Sequence, residues 1–129
     1  MTTNPRIAAL VLRLSLSAVF FAHGLFKILV LGLPGTASFF AQQGFPGWTA
    51  YVVTAVEVLA GLALLLGLYT RAAAVAVIPV LVGAFTVHAP NGWYFGAEHG
   101  GWEYVAFLIA AAVAQALLGG GSYSLDERR

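Results

Sequence analysis

Apolar residues in this chain gather in four long blocks separated by turn-forming and aromatic residues. The first block runs from Ile7 to about Leu33, and its ionisable residues are Arg13, His23 and Lys27. The second, Trp48 to Tyr69, holds Glu57 as its single formal charge. The third, Ala72 to Ala89, contains His88, and the fourth, Trp102 to Leu118, begins beside Glu103. Each block is near the ~20 residues that cross a hydrocarbon layer of ~30 Å at ~1.5 Å per residue. The expected fold is therefore all-α, a polytopic membrane four-helix bundle. It forms a single transmembrane domain over 1–129, with spans at about 7–33, 48–69, 72–89 and 102–118 and a tail at 119–129.

The connections refine this pattern. Gly67-Leu68-Tyr69-Thr70-Arg71 predicts a tight helical hairpin, with Gly67 ending one helix and Thr70 capping the next. Pro34-Gly35-Thr36 is expected to stop the first helix, and residues 36–43 to form a short interfacial helix with Phe39 and Phe40 turned to lipid. Pro90 to Phe95 predicts a turn rich in interfacial aromatics, and Trp48, Trp93, Tyr94 and Trp102 fit an aromatic belt. Pro79 predicts a kink in the third span. The repeat Ala106, Ala110, Ala114 predicts close approach of a partner backbone. Gly119-Gly120-Gly121 ends the last helix.

Composition agrees with a bilayer environment. Of 129 residues 60% are hydrophobic and 9% charged, against roughly 25% charged in soluble domains. A net charge of +1 without a Lys/Arg cluster gives nucleic acid no electrostatic footprint. The chain has no cysteine, so it carries no dithiol couple or Cys-ligated cluster, and any redox chemistry needs a bound cofactor or a partner. The first apolar run is too long for a secretory signal and lacks a small-residue cleavage pattern, so it is expected to be retained as a span. Arg6, Arg71 and the pair Arg128-Arg129 fall on one side of the four spans, and the two longer loops contain no Lys or Arg. The positive-inside rule therefore puts both termini on the cytoplasmic side of the inner (plasma) membrane.

The candidate chemistry lies in the intramembrane ionisable residues. A charge near the bilayer centre costs at least ~2.5–3.5 kcal/mol, so such residues turn inward and find partners. Arg13, His23 and Lys27 share one broad helical face, and Thr54, Glu57 and Gly61 share another. With the first helix centred near Val19, Arg13 lies about 9 Å toward the cytoplasm, His23 about 6 Å outward and Lys27 about 12 Å outward. Glu57 falls near the midplane, with His88 and Glu103 at depths like that of Lys27. The result is a polar group open to the outside with Glu57 as its floor.

Two readings of this group lead. In one the residues neutralise each other, Glu57 with His23 or Arg13 and Glu103 with Lys27 or His88, and fix the register of the helices. In the other His23, Lys27, Glu57, His88 and Glu103 supply the hydrogen-bond donors and proton-exchanging acids that a quinone head needs, with Phe20, Phe26, Trp102 and Phe107 lining a slot for its tail. Metal binding lacks an HxxxH or ExxH pair, and haem ligation by His23 and His88 conflicts with their depths. A transport pathway would draw on the same acids and bases, though the chain shows no internal repeat. His99 beside Gly100-Gly101 is expected to be a solvated loop histidine.

These residues also resemble the DoxX family pattern over nearly the whole chain. The first helix has Arg13-Leu14-Ser15-Leu16 and then His23-Gly24-Leu25-Phe26-Lys27, similar to that family's arginine followed by a His-Gly-x-x-Lys element, with Ser17 where the family often has glycine. Glu57-Val58-Leu59-Ala60-Gly61 and Leu66-Gly67-Leu68-Tyr69-Thr70-Arg71 resemble its Glu-x-x-x-Gly and Leu-Gly-x-x-Thr-Arg elements. Gly101-Trp102-Glu103-Tyr104 and Gly121-Ser122-Tyr123-Ser124-Leu125-Asp126 complete the order. The resemblance implies a bacterial four-helix membrane protein whose relatives include a subunit of a thiosulfate:quinone oxidoreductase. It implies no built-in cofactor, a quinone as the ligand, and a redox-protein partner or homo-oligomer within the lipid bilayer. The alternative is a non-enzymatic scaffold or assembly subunit of a larger complex. The resemblance also draws attention to Asp126, which is expected to pair with Arg13 or Arg71 and close the bundle from the cytoplasmic side.

Overall fold

The computed structural model describes residues 2–94 and 96–128. Phe95 of the aromatic turn lies outside the described residues, as do Arg129 and the side chain of Arg128 from the terminal arginine pair. Five α-helices follow one another: α1 Pro5–Leu29, α2 Leu33–Gln42, α3 Thr49–Leu66, α4 Thr70–His88 and α5 Glu103–Leu118, with 3-10 turns at Ala89–Asn91 and Leu125–Arg128. Three of them, α1, α3 and α4, are long and apolar enough to cross a membrane, and α5 is apolar but has 16 residues.

Several boundaries differ from those expected, for local reasons. The first helix ends at Leu29, where the amides of Val30 and Leu31 both turn back to the Phe26 carbonyl. Pro34 does not stop it. Gly32, at a φ of 75°, breaks the chain, and Pro34 stands in the first turn of α2, where a missing N–H costs nothing. At the hairpin, Gly67 ends α3 in the left-handed conformation as expected, with a φ of 69°. Thr70 is not the cap of α4 but its first residue, and Tyr69 precedes it at a φ of 52°. The orphan amides there are satisfied from a distance: the Asp126 carboxylate accepts from Tyr69 N at 2.7 Å and Thr70 N at 2.9 Å.

The helices enclose a core of Leu16, Phe20, Leu64, Val77, Leu81, Leu108 and Ala112. The α1–α3 contact is close because both helices present small groups. A side chain on Gly61 would meet the Phe21 backbone at 2.9 Å, and one on Gly24 would meet Val58 at 2.6 Å. Ser17, at the family's glycine position, donates to the Gly61 carbonyl at 2.7 Å. On α5 the buried face is Val105, Leu108, Ala111, Ala112 and Gln115, whereas Ala110 of the expected alanine stripe is exposed and Ala106 and Ala114 are half-buried. The stripe is thus peripheral to the packing within this chain. The core is set instead by residues one or two positions away from it.

The first and last segments of the described chain meet at one end of the bundle, here called proximal. Ser122 N donates to the Arg6 carbonyl, Asp126 N donates to the Gly67 carbonyl, and Arg6 forms an ion pair with Glu127. The hydrogen bond from Arg6 holds the Glu127 carboxyl below its ordinary range. Arg13, 1% exposed, donates to the carbonyls of Leu64, Leu65, Gly120 and Ser122 at 2.9–3.0 Å. One guanidinium therefore links α1, the end of α3 and the C-terminal segment. Arg71 donates to the Ala116 carbonyl at 3.2 Å and ties α4 to α5.

Candidate functional site

The distal half of the bundle is less tightly filled. There a cavity of about 360 Å³ lies among α1, α3, α4 and α5, with α2 across its end. Its polar lining includes His23, Lys27, Glu57 and His88. These four expected site residues come from α1, α3 and α4, and the fold brings them to one space. Glu103, the fifth, is not in the lining. Its amide donates to the Trp93 carbonyl at 2.9 Å, and its buried Oε2 has no hydrogen-bond partner among the described residues.

The central contact is Lys27 Nζ donating to Glu57 Oε1 at 2.6 Å, with side-chain exposures of 18% and 5%. Glu57 is therefore paired with Lys27, not with His23 or Arg13 as expected. The reason is the direction of side chains on a helix: Lys27, in the last turn of α1, reaches back along the helix to the level of Gly24, which lies against Glu57. Arg13 is held by carbonyls at the opposite end. In this semi-dry setting the pair keeps two charges inside the bundle, and two further N–H groups of Lys27 remain to meet a ligand.

The two histidines are held by their inner nitrogens. The Val19 carbonyl accepts from Nδ1 of His23 at 2.7 Å, which assigns the proton to Nδ1 and leaves Nε2 for other partners. His88 Nδ1 stands 3.3 Å from the Gly100 carbonyl, so the loop before α5 orients its ring. His99 lies in that loop at a φ of 66°, well exposed and 3.6 Å from the Glu98 carboxylate, away from the cavity. Among the described residues no three His, Asp or Glu side chains cluster in a way that would hold a metal ion.

The apolar lining differs from the expected slot. Phe20 takes part, but Phe26 and Phe107 are 49% and 68% exposed and point to the periphery, and Trp102 packs on Phe85 with centroids 5.7 Å apart. In their place stand Phe39 and Phe40 of α2, Gln43 and Phe45 after it, and Tyr104 of α5. Phe40 is half-buried, 6.2 Å from Phe45, and so is not turned to lipid. The signal missed was that a ten-residue helix joined by short links to α1 and α3 must lie over their ends, which turns one of two adjacent phenylalanines inward. A larger and shallower depression of about 610 Å³ lies at the proximal end, where Arg6 is matched by Glu127 and the α4 amides by Asp126. Its charges are already compensated, and the distal cavity is the candidate site.

Comparison with known proteins follows the same residues. The family model described as DoxX matches residues 8–89, which contain Arg13, His23, Lys27, Glu57, Arg71 and His88. A curated relative from Bacillus subtilis (strain 168), "Putative oxidoreductase CatD", is 32% identical over 126 residues, covering 98% of this chain and 90% of that protein. No solved structure gives a significant match.

Proposed function

The chain belongs to the DoxX family, and from that premise we propose that it is a quinone-interacting membrane subunit that works with a redox-protein partner. The observation that carries this reading is the cavity in which Lys27, Glu57, His23 and His88 meet an apolar, aromatic wall. Quinone carbonyls accept hydrogen bonds, which the Lys27 ammonium donates, and an unprotonated histidine Nε2 accepts a proton from the hydroxyl of a reduced ring. The chain has no cysteine with which to carry electrons itself, and in this proposal the partner supplies them. The relative's description as an oxidoreductase is in keeping with that role.

In this proposal α5 completes a four-span bundle. Its 16 residues are about 24 Å long, enough for a thin or locally adjusted bilayer. The proximal end, with Arg6 and Arg71, faces the cytoplasm, and the distal cavity lies in the outer half of the inner membrane. Titration of the purified protein with a short-chain quinone tests the reading. Lys27→Met and Glu57→Gln should each weaken binding by about tenfold, the equivalent of one charge-assisted hydrogen bond. Unchanged affinity in both variants would sink it.

A second reading, a non-enzymatic scaffold or assembly subunit, is favoured by one observation: Lys27 and Glu57 already satisfy each other. It predicts co-purification with a redox complex in the absence of any bound quinone. Transport has less support, because Leu16, Leu64, Val77 and Ala112 fill the bundle below Glu57 with apolar side chains.

A further inference from the structure

The cavity has four helical walls, and three of the seams between them are closed at its level. Between α1 and α3, Val58 and Phe21 occupy the space that side chains on Gly24 and Gly61 would need. Between α4 and the segment that leads into α5, Phe85 packs on Trp102 and His88 Nδ1 stands 3.3 Å from the Gly100 carbonyl. Between α3 and α4, Phe45 reaches in until its Cζ is 4.0 Å from the point where a Cβ on Gly83 would stand. At the distal end the Phe39–Phe40–Phe45 cluster, with centroids 6.4 and 6.2 Å apart, forms an aromatic cover.

The fourth seam, between α1 and α5, behaves differently along its length. Near the termini Gln115 Nε2 donates to the Ala9 carbonyl at 3.2 Å, and both residues are fully buried. One to two turns further, Leu16 and Ala111 are still buried. Beyond them Val19 is half-buried, and His23 and Tyr104 are exposed, although all three line the cavity. Helical spacing puts Leu16, Val19 and His23 on the edge of α1 that faces α5, and Tyr104, Leu108, Ala111 and Gln115 on the edge of α5 that faces α1. The α1–α5 seam is therefore sealed proximally and exposed distally, at a depth that the four-span proposal places in lipid.

Size then decides what fits. A cavity of about 360 Å³ is at the small end of the roughly 300–1,000 Å³ range of small-molecule sites. It takes a quinone ring with its oxygens and substituents, and a long hydrocarbon tail on that ring has to continue outside it. We infer that the cavity is loaded sideways from the lipid, and that its ligand carries a hydrocarbon tail that leaves between α1 and α5 past Val19 and Tyr104. This rests on the quinone reading above. It adds that the ligand is membrane-borne, that Val19 and Tyr104 select for its tail, and that His23 stands at the mouth where the head passes.

The test compares a benzoquinone head bearing a decyl chain with the same head lacking it. Both are titrated into the full-length protein in nanodiscs, binding is followed by tryptophan fluorescence quenching, and affinities are referred to concentration within the bilayer. Wild type should bind the tailed head at least tenfold more tightly. Val19→Trp, which fills the seam, should bring that ratio close to one, whereas Leu62→Trp on the lipid-facing side of α3 should leave it unchanged. Equal affinity of the two heads for wild type overturns the inference while leaving the quinone reading intact, and the wild-type comparison holds even if the seam variant does not fold. A tail preference that survives Val19→Trp also overturns it, since the tail then leaves by another way, such as past α2. If neither head binds, the quinone reading itself fails and the route fails with it.

Discussion

Lys27 occupies a position where sequence rules pull in two directions. Close to the end of an apolar run, an ammonium is expected to snorkel outward to the interface. It turns inward instead because a carboxylate 5% exposed waits one turn below, at 2.6 Å. Removing one member of such a pair strands the other in a poor solvent, which typically costs about 3–5 kcal/mol, while replacing both by apolar groups is often neutral. Because Lys27 keeps 18% of its side chain exposed, Lys27→Met should destabilise the protein by about 3 kcal/mol, the low end of that range. The double variant Lys27→Met, Glu57→Leu should recover most of the loss. Unfolding by denaturing detergent measures both, and equal losses in the single and double variants would contradict the pairing argument.

At the scale of elements, the fold depends on how closely α1 and α3 approach. A methyl group at Gly61 would stand 2.9–3.1 Å from the N, Cβ and Cα atoms of Phe21, most of them backbone that has no rotamer to change. Gly61→Ala should therefore cost about 1–3 kcal/mol, as overpacking does. Gly35→Ala, on α2 with nothing within 4 Å of the new methyl, should be neutral or mildly stabilising through helix propensity. Thermal unfolding in mild detergent separates the two. If Gly61→Ala unfolds no earlier than Gly35→Ala, the α1–α3 seam is looser than described. The element least legible in the sequence is α2: apolar patterning places both of its phenylalanines against lipid, yet Phe40 covers the cavity. Periodicity over ten residues cannot tell a lipid-facing aromatic from one that faces a neighbouring helix, because both environments are apolar.

For the molecule as a whole, the C-terminal segment acts as a closure. Arg13 reaches two of its carbonyls as well as two at the end of α3, and Asp126 holds the start of α4. A lysine offers one ammonium where the guanidinium offers a planar fork, and it cannot span both sets of carbonyls. Arg13→Lys should release the segment with the bundle still formed, so the amides of Ser122 and Asp126, now bonded to Arg6 and Gly67, should exchange with solvent at least about tenfold faster. Hydrogen exchange read by mass spectrometry checks this. Uniform acceleration throughout α1–α5 would instead assign Arg13 to global stability.

From the sequence alone came the all-helical architecture, the approximate positions of the long apolar helices, the hairpin at Gly67 and the set of residues worth watching. Helix length, glycine and the cost of intramembrane charge are local or one-dimensional properties, and they survive translation into structure. Which charges meet was decided in three dimensions. Lys27 found Glu57, Arg13 found carbonyls, and Glu103 stayed outside the cavity that His23 and His88 share, because side-chain direction and the crossing of helices depend on packing that no single segment encodes. The cavity itself belongs to the same class of fact. It exists where four helices diverge around residues distant in sequence, and a void leaves no mark on the order of amino acids.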